Sequence, residues 1–294
     1  MRWDVDPIIV ELGPLELRWY GLFFAFGLLL AARAYPRIFA RRGLAEEHAQ
    51  RLTLWLPVGM ILGAHLVHLI FYEPRSFIEQ PQRIIEIGKG LSSHGGALGA
   101  VVALLIYVRR RGLDLHRYLD ASLIGAIWIF PWVRIGNFFN SEIYGKPTDL
   151  PWGVVFALRQ PEARHPTQLY EALGGFALLW FAYWLDRNYR ARLRDGATFY
   201  LLTGTYFVGR FLVEYLKAYQ VLDPGLPLTM GQCLSLPVVA LSAYMLLASK
   251  DHNIRTARPK ESRDTTLELK SGRNGKGRKK RKGGGKNRRR LKSA

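Results

Sequence analysis

Apolar runs close to membrane-spanning length recur along this chain, and no other feature restricts its fold as strongly. A helix crossing a ~30 Å hydrocarbon core needs about 20 predominantly apolar residues. About seven runs approach that length, over roughly 17–35, 52–72, 93–108, 119–135, 167–185, 197–216 and 230–248. The third is the shortest, and Pro131 interrupts the fourth. The expected fold class is therefore all-α: a polytopic membrane protein with about seven transmembrane helices.

The whole-chain average hides this pattern, because a mean hydropathy of −0.01 suits a soluble protein. Residues 250–294 hold 18 Lys and Arg against 4 Asp and Glu, so +14 of the net +19 lies there and 1–249 carry only +5. The expected organisation is a transmembrane domain over 1–249 and a disordered basic tail over 250–294. That tail has the charge to hold nucleic acid in isolation. Following directly on a membrane span, it is expected on the anionic membrane surface instead, with no nucleic-acid partner.

Lys and Arg accumulate on the cytoplasmic side of membrane proteins. Arginines follow the first run (Arg33, Arg37, Arg41, Arg42, Arg51), the third (Arg109, Arg110, Arg111, Arg117) and the fifth (Arg187, Arg190, Arg192, Arg194), and the tail follows the seventh. Odd runs thus end inside, with the N-terminus periplasmic and the C-terminus cytoplasmic. Asp4, Asp6 and Glu11 open the chain where a signal peptide would be basic, so no cleavable signal is expected. Residues 136–166, with Pro147, Pro151, Pro161 and Pro166, are too polar to cross and too long for a turn, which predicts a small external cap between spans four and five. Cys233 begins an apolar run and is assigned to packing.

Ionisable residues inside spans cost a few kcal/mol each and mark cavities or partners. They occur here as His94 in LSSHGGALG, Arg134 in VRIGNFFNSEIYG with Glu142 just beyond, Glu171 in HPTQLYE, and Arg210 with Glu214 in GRFLVEY. Arg210 and Glu214 share a helix face, so mutual neutralisation is one reading. Arg134 has no local partner, and Gly136, Asn137, Asn140 and Gly145 give a bent polar stretch beside it. Arginines, a histidine and carboxamides gathered at one membrane depth suit a lipid phosphodiester, because guanidinium holds phosphate oxygens with two donors at once. Gly95, Gly96 and Gly99 admit either close helix packing or ligand approach. His65 and His68 share a face, but without an HExxH pattern they read as hydrogen-bonded interior groups, and no metal site is assigned.

At these residues the chain resembles the prolipoprotein diacylglyceryl transferases, from about residue 6 to 247. The family signature GRxGNFxNxExxG stands here as VRIGNFFNSEIYG, and its HGG, HPSQLYE, RxxxE, SMGQxLSxP and WYG elements stand at Ser93 to Gly96, His165 to Glu171, Arg210 to Glu214, Thr229 to Pro237 and Trp19 to Gly21. The resemblance implies an enzyme of the bacterial inner membrane that moves the diacylglyceryl group of phosphatidylglycerol onto the lipobox cysteine of a prolipoprotein signal peptide, releasing glycerol phosphate. No cofactor is implied. It implies catalytic roles for His94, Arg134, Arg210, Glu142 and Glu214, and substrate binding by Tyr20, Asn137, Asn140, Gly145 and Arg134. His94 would take the thiol proton, and Glu142 and Glu214 would hold the arginines. Two departures, Val133 for the signature's first glycine and the His65 to Val67 stretch in the second span, support a rival: a catalytically altered or inactive relative that binds or transports phospholipid.

Overall fold

The computed structural model describes residues 1–13, 15–86, 90, 92–218 and 227–248. The tail read over 250–294, and with it the membrane-surface contact expected of it, lies outside the described residues. The chain begins with three short strands, β1 (Arg2–Trp3), β2 (Ile8–Leu12) and β3 (Leu15–Arg18). Helices α1 (Trp19–Arg41), α2 (Glu46–Tyr72), the short α3 (Pro74–Glu79), α4 (Ser93–Arg110), α5 (Leu115–Ala126) and α6 (Phe130–Phe139) follow. Strands β4 (Val154–Phe156) and β5 (Ala163–Arg164) precede α7 (Thr167–Asn188), α8 (Ala197–Glu214) and α9 (Met230–Ala248).

Six of the apolar runs each fall on one helix and the fourth is divided between α5 and α6; four helical stretches are long and apolar enough to cross a membrane: Trp19–Arg41, Glu46–Phe71, Leu115–Phe139 and Met230–Ala248. Local chemistry fixes their ends. Asp114 caps α5 by accepting from Arg117 N at 3.0 Å, and Thr229 and Gln232 cap α9 reciprocally at 3.1 and 3.2 Å. Between α5 and α6 the chain tightens into a 3-10 turn, Ile127–Ile129. Pro131 explains it: proline has no N–H and its ring clashes with the carbonyl four residues earlier, that of Ile127.

The side chains face outward as a lipid-embedded protein requires. Along α2, Leu54, Val58, Leu62, Leu66 and Ile70 are exposed at intervals of four, forming an apolar stripe that water would penalise. The buried core includes Ile38 and Phe39 of α1, Leu52 of α2, Ile124 of α5, Ile127 just after α5, and Leu202 of α8. Where α2 crosses α4, glycines meet: a Cβ on Gly59 would lie 2.8 Å from Gly99 O, and one on Gly63 would lie 2.6 Å from Gly99 Cα. The glycines of LSSHGGALG thus serve close helix packing, the first of the two readings.

Three details go beyond the sequence reading. The polar segment after α6 is joined by the N-terminus, since β1 pairs parallel with β4, β4 pairs antiparallel with β5, and Trp3 packs on Phe138, Val154 and Phe156. Two-residue strands carry no readable periodicity. Cys233 is exposed rather than packed, because the buried face of α9 runs through Gly231, Gln232, Ser235 and Ser242. His65 is buried, and its Nε2 lies 2.9 Å from Arg83 O and 3.2 Å from Ile84 O, so it ties the 81–84 turn to α2 as a hydrogen-bonded interior group.

Candidate active site

Arg134 on α6, Glu171 on α7 and Arg210 on α8 come from three helices and meet at one carboxylate. Arg134 Nε lies 3.3 Å from Glu171 Oε2, and Arg210 Nη1 lies 3.9 Å from Oε1. Lys217, just past α8, donates from Nζ to Glu171 Oε1 at 2.9 Å and stands 3.7 Å from Glu214 Oε2. In the sequence Glu171 shows only as an ionisable residue in a span, and Lys217 carries no signal of its own. Only folding brings Lys217 to α7, so no spacing pattern announces it.

The arginines are not held as expected. Glu214 pairs with Lys217 and packs against Gly231, where a Cβ would lie 2.5 Å from both carboxylate oxygens. Among the described residues no Arg210–Glu214 ion pair forms, so the face-sharing reading gives way to contacts between helices. Glu142 reaches Arg134 indirectly: Asn137 Nδ2 donates to Glu142 Oε1 at 2.7 Å, while Arg134 Nη1 donates to Asn137 Oδ1 at 3.2 Å. Asn137 therefore orients the guanidinium by relaying between charges.

Glu142 sits between two residues with left-handed backbones, Ser141 (φ 52°) and Ile143 (φ 57°). Non-glycine residues hold such angles only when their surroundings enforce them, at about 1–3 kcal/mol each. The HPTQLYE segment supplies the enforcement. Thr167 Oγ1 donates to Ile143 O at 2.8 Å and Gln168 Nε2 donates to Glu142 O at 2.6 Å, both from fully buried side chains. Gly145 closes the loop: its N–H donates to His165 O at 2.8 Å, and a Cβ there would lie 2.6 Å from Leu216 O. Its position is explained by that close approach, which sets Lys217 beside Glu171.

Tyr20 opens α1 against Gly136 of α6, where a Cβ would stand 3.1 Å from Tyr20 Cα. Asn140 ends α6 with a buried Oδ1 lacking a hydrogen-bond partner among the described residues. His94 lies in the first turn of α4, but its side chain is outside the described residues. The structure thus gathers Arg134, Asn137, Glu142, Arg210 and Glu214 into one connected cluster through Glu171 and Lys217, with Tyr20 and Gly145 packed around it.

Exposure ranks the charges. The Arg134 and Arg210 side chains keep 18% and 19% of their surface, against 9% for Glu171 and 7% for Lys217. Among the described residues Arg210 has no closer carboxylate than Glu171 at 3.9 Å, beyond hydrogen-bond length, so its planar fork of donors is available to a bound anion.

The family profile of the prolipoprotein diacylglyceryl transferases matches residues 7–248. The chain belongs to this family. A phosphatidylglycerol–prolipoprotein diacylglyceryl transferase of Tolumonas auensis is 37% identical over 253 residues, covering 85% of this chain and 98% of that protein. Proteins of the same name from Chloroherpeton thalassium and Bacteroides fragilis are 38% and 32% identical, covering 84% of this chain and 93% and 94% of their own lengths. The region shared with these transferases contains every residue of the Arg134–Glu171–Arg210 cluster.

Proposed function

We propose that this protein transfers the diacylglyceryl group of phosphatidylglycerol to the lipobox cysteine thiol of prolipoprotein signal peptides in the bacterial inner membrane. The observation that carries the proposal is the convergence of two half-buried guanidiniums on one buried carboxylate, in a chain of the transferase family. In the reaction the cysteine sulfur attacks the terminal glyceryl carbon, the C–S bond forms and the C–O bond to phosphate breaks. The thiol proton balances the oxygen released, so the leaving molecule is glycerol phosphate.

Arg134 and Arg210 bind the phosphate and stabilise the charge that builds on it as the C–O bond breaks. Glu171 fixes the separation of the two guanidiniums, and Lys217 offsets the charge of Glu171 and Glu214 so that the arginines stay free for the substrate. Asn137 and Glu142 set the rotation of Arg134. Tyr20 and Asn140 contact the lipid headgroup, and His94 accepts the thiol proton, a general-base task that histidine performs more often than any other side chain. All seven apolar helices span the membrane, the N-terminus is periplasmic, and the cluster opens to the periplasmic leaflet. The 250–294 segment rests on anionic lipid at the cytoplasmic face.

Complementation of a strain depleted of its transferase is the test, with glycerol phosphate release from labelled phosphatidylglycerol measured alongside. Rescue with stoichiometric release is expected. Lipid binding without product would instead mark the chain as a phospholipid carrier.

A further inference from the structure

A second basic feature lies on α1, away from the cluster. Arg33, Arg37 and Arg41 recur every four residues and so share one face of the helix. With Leu30, Trp128 and Tyr183 they line a groove of about 620 Å³. Arg41 is engaged: Nη2 lies 3.4 Å from Asp186 Oδ2, and its guanidinium stacks 5.1 Å from the Tyr183 ring centre. Among the described residues, neither Arg33 nor Arg37 has a hydrogen bond or an ion pair.

Depth makes that lack informative. Arg33 is about 12 Å up the helix from Arg41 at 1.5 Å per residue, and α1 contains no acidic residue. Two exposed, unpaired charges at the end of a span attract an anionic headgroup, at about 1 kcal/mol per basic residue. The opposite wall is apolar and preformed, since Trp128 Nε1 donates to the Tyr183 hydroxyl at 2.9 Å. A positively charged peptide would be repelled.

We infer that the α1 groove is a binding site for an anionic phospholipid, whose phosphate sits between Arg33 and Arg37 and whose acyl chain lies along Leu30 and Trp128. The site is separate from the transfer site: Tyr20 stands about 20 Å from Arg33 along α1. The occupant belongs to the leaflet opposite the one the arginine cluster faces, so it is a resident lipid and not the molecule being consumed.

Trp128 reports on the groove directly. The full chain is reconstituted in phosphatidylcholine nanodiscs doped with brominated phosphatidylglycerol or brominated phosphatidylcholine, and quenching is read as the difference between the parent protein and Trp128→Phe. The expected result is a preference for the anionic lipid on the order of twentyfold, falling roughly fivefold for Arg33→Gln and again for Arg37→Gln. Arg33→Lys with Arg37→Lys keeps the charge and should retain most of the preference. Equal quenching by both lipids would overturn the proposal, as would a preference that survives the double Gln variant or vanishes in the double Lys variant. Displacement by soluble glycerol phosphate as effectively as by lipid would show a simple anion site and would also overturn it.

Discussion

Two charge clusters sit toward opposite ends of the same helices, and they are built on opposite principles. Asp186 and Glu171 are fifteen residues apart on α7, about 22 Å. At the Asp186 end, Arg42 donates to Asp186 Oδ1 at 2.9 Å, Asp120 Oδ2 at 3.0 Å and Thr198 Oγ1 at 3.1 Å. Asp120 also accepts from Gly196 N at 3.1 Å and Phe199 N at 2.7 Å. The Arg42 side chain keeps only 8% of its surface, and those of Asp120 and Asp186 keep 2% and 0%. At the Glu171 end the arginines are more than twice as exposed and their contacts run from 3.2 to 3.9 Å. A cluster whose charges are all closely paired holds helices together, and one that leaves a guanidinium such as that of Arg210 without a hydrogen bond among the described residues can hold a ligand.

The largest effect should therefore come from Arg42, and on stability. Replacing it in Arg42→Leu leaves buried Asp120 with backbone donors only and buried Asp186 with Arg41 alone, at about 3–5 kcal/mol. Thermal unfolding in one detergent should show that loss, while transfer per folded molecule stays near normal. Next come Arg134→Lys and Arg210→Lys, which keep the charge but lose the fork. Each should lower the rate of glycerol phosphate release about a hundredfold with little change in melting temperature. If Arg42→Leu abolished turnover in a folded protein while the lysine variants merely melted earlier, the assignment of the two clusters would be reversed.

A smaller effect would sharpen the comparison. Lys217→Met removes one charge-assisted hydrogen bond from Glu171, worth about 1.5–3 kcal/mol. The freed carboxylate then competes with substrate for both guanidiniums, so the Michaelis constant for phosphatidylglycerol should rise roughly tenfold. An unchanged value would remove Lys217 from the account.

The smallest effect lies outside both clusters. Glu73 is held below its ordinary value of 4.5, first by the Arg83 hydrogen bond and then by His68. A depressed carboxyl contributes fully above its unfolded value and loses that contribution as pH falls through the folded one. Amide protection factors over 73–86, corrected for intrinsic exchange, should therefore be steady at neutral pH and fall only below about pH 4.5. Protection already lower at pH 6 would contradict the Glu73–Arg83 tie.

Much of the site was legible because membrane spans make polar residues conspicuous. Arg134 stood out for lacking a local partner, and Gly136, Asn137 and Glu142 for bending a polar stretch beside it. The grouping of Arg210 with Glu214 was legible as a helix face but misleading as a contact, since Glu214 turns to Lys217. Arg41 and Arg42 read as orienting charges at a span end. Arg42 proved to be buried among carboxylates from other helices, which positional charge counting does not register.

The sequence alone determined the helices, the apolar faces and the identity of the charged residues, because apolar length, capping and periodicity act within one or two turns. The tertiary structure alone decided which charge meets which. Glu171 became the hub, Lys217 its partner and Gly145 the point of closest approach because packing of α6, α7 and α8 brings residues tens of positions apart within 4 Å of each other. Coulombic and hydrogen-bond energies depend on those separations and not on spacing along the chain.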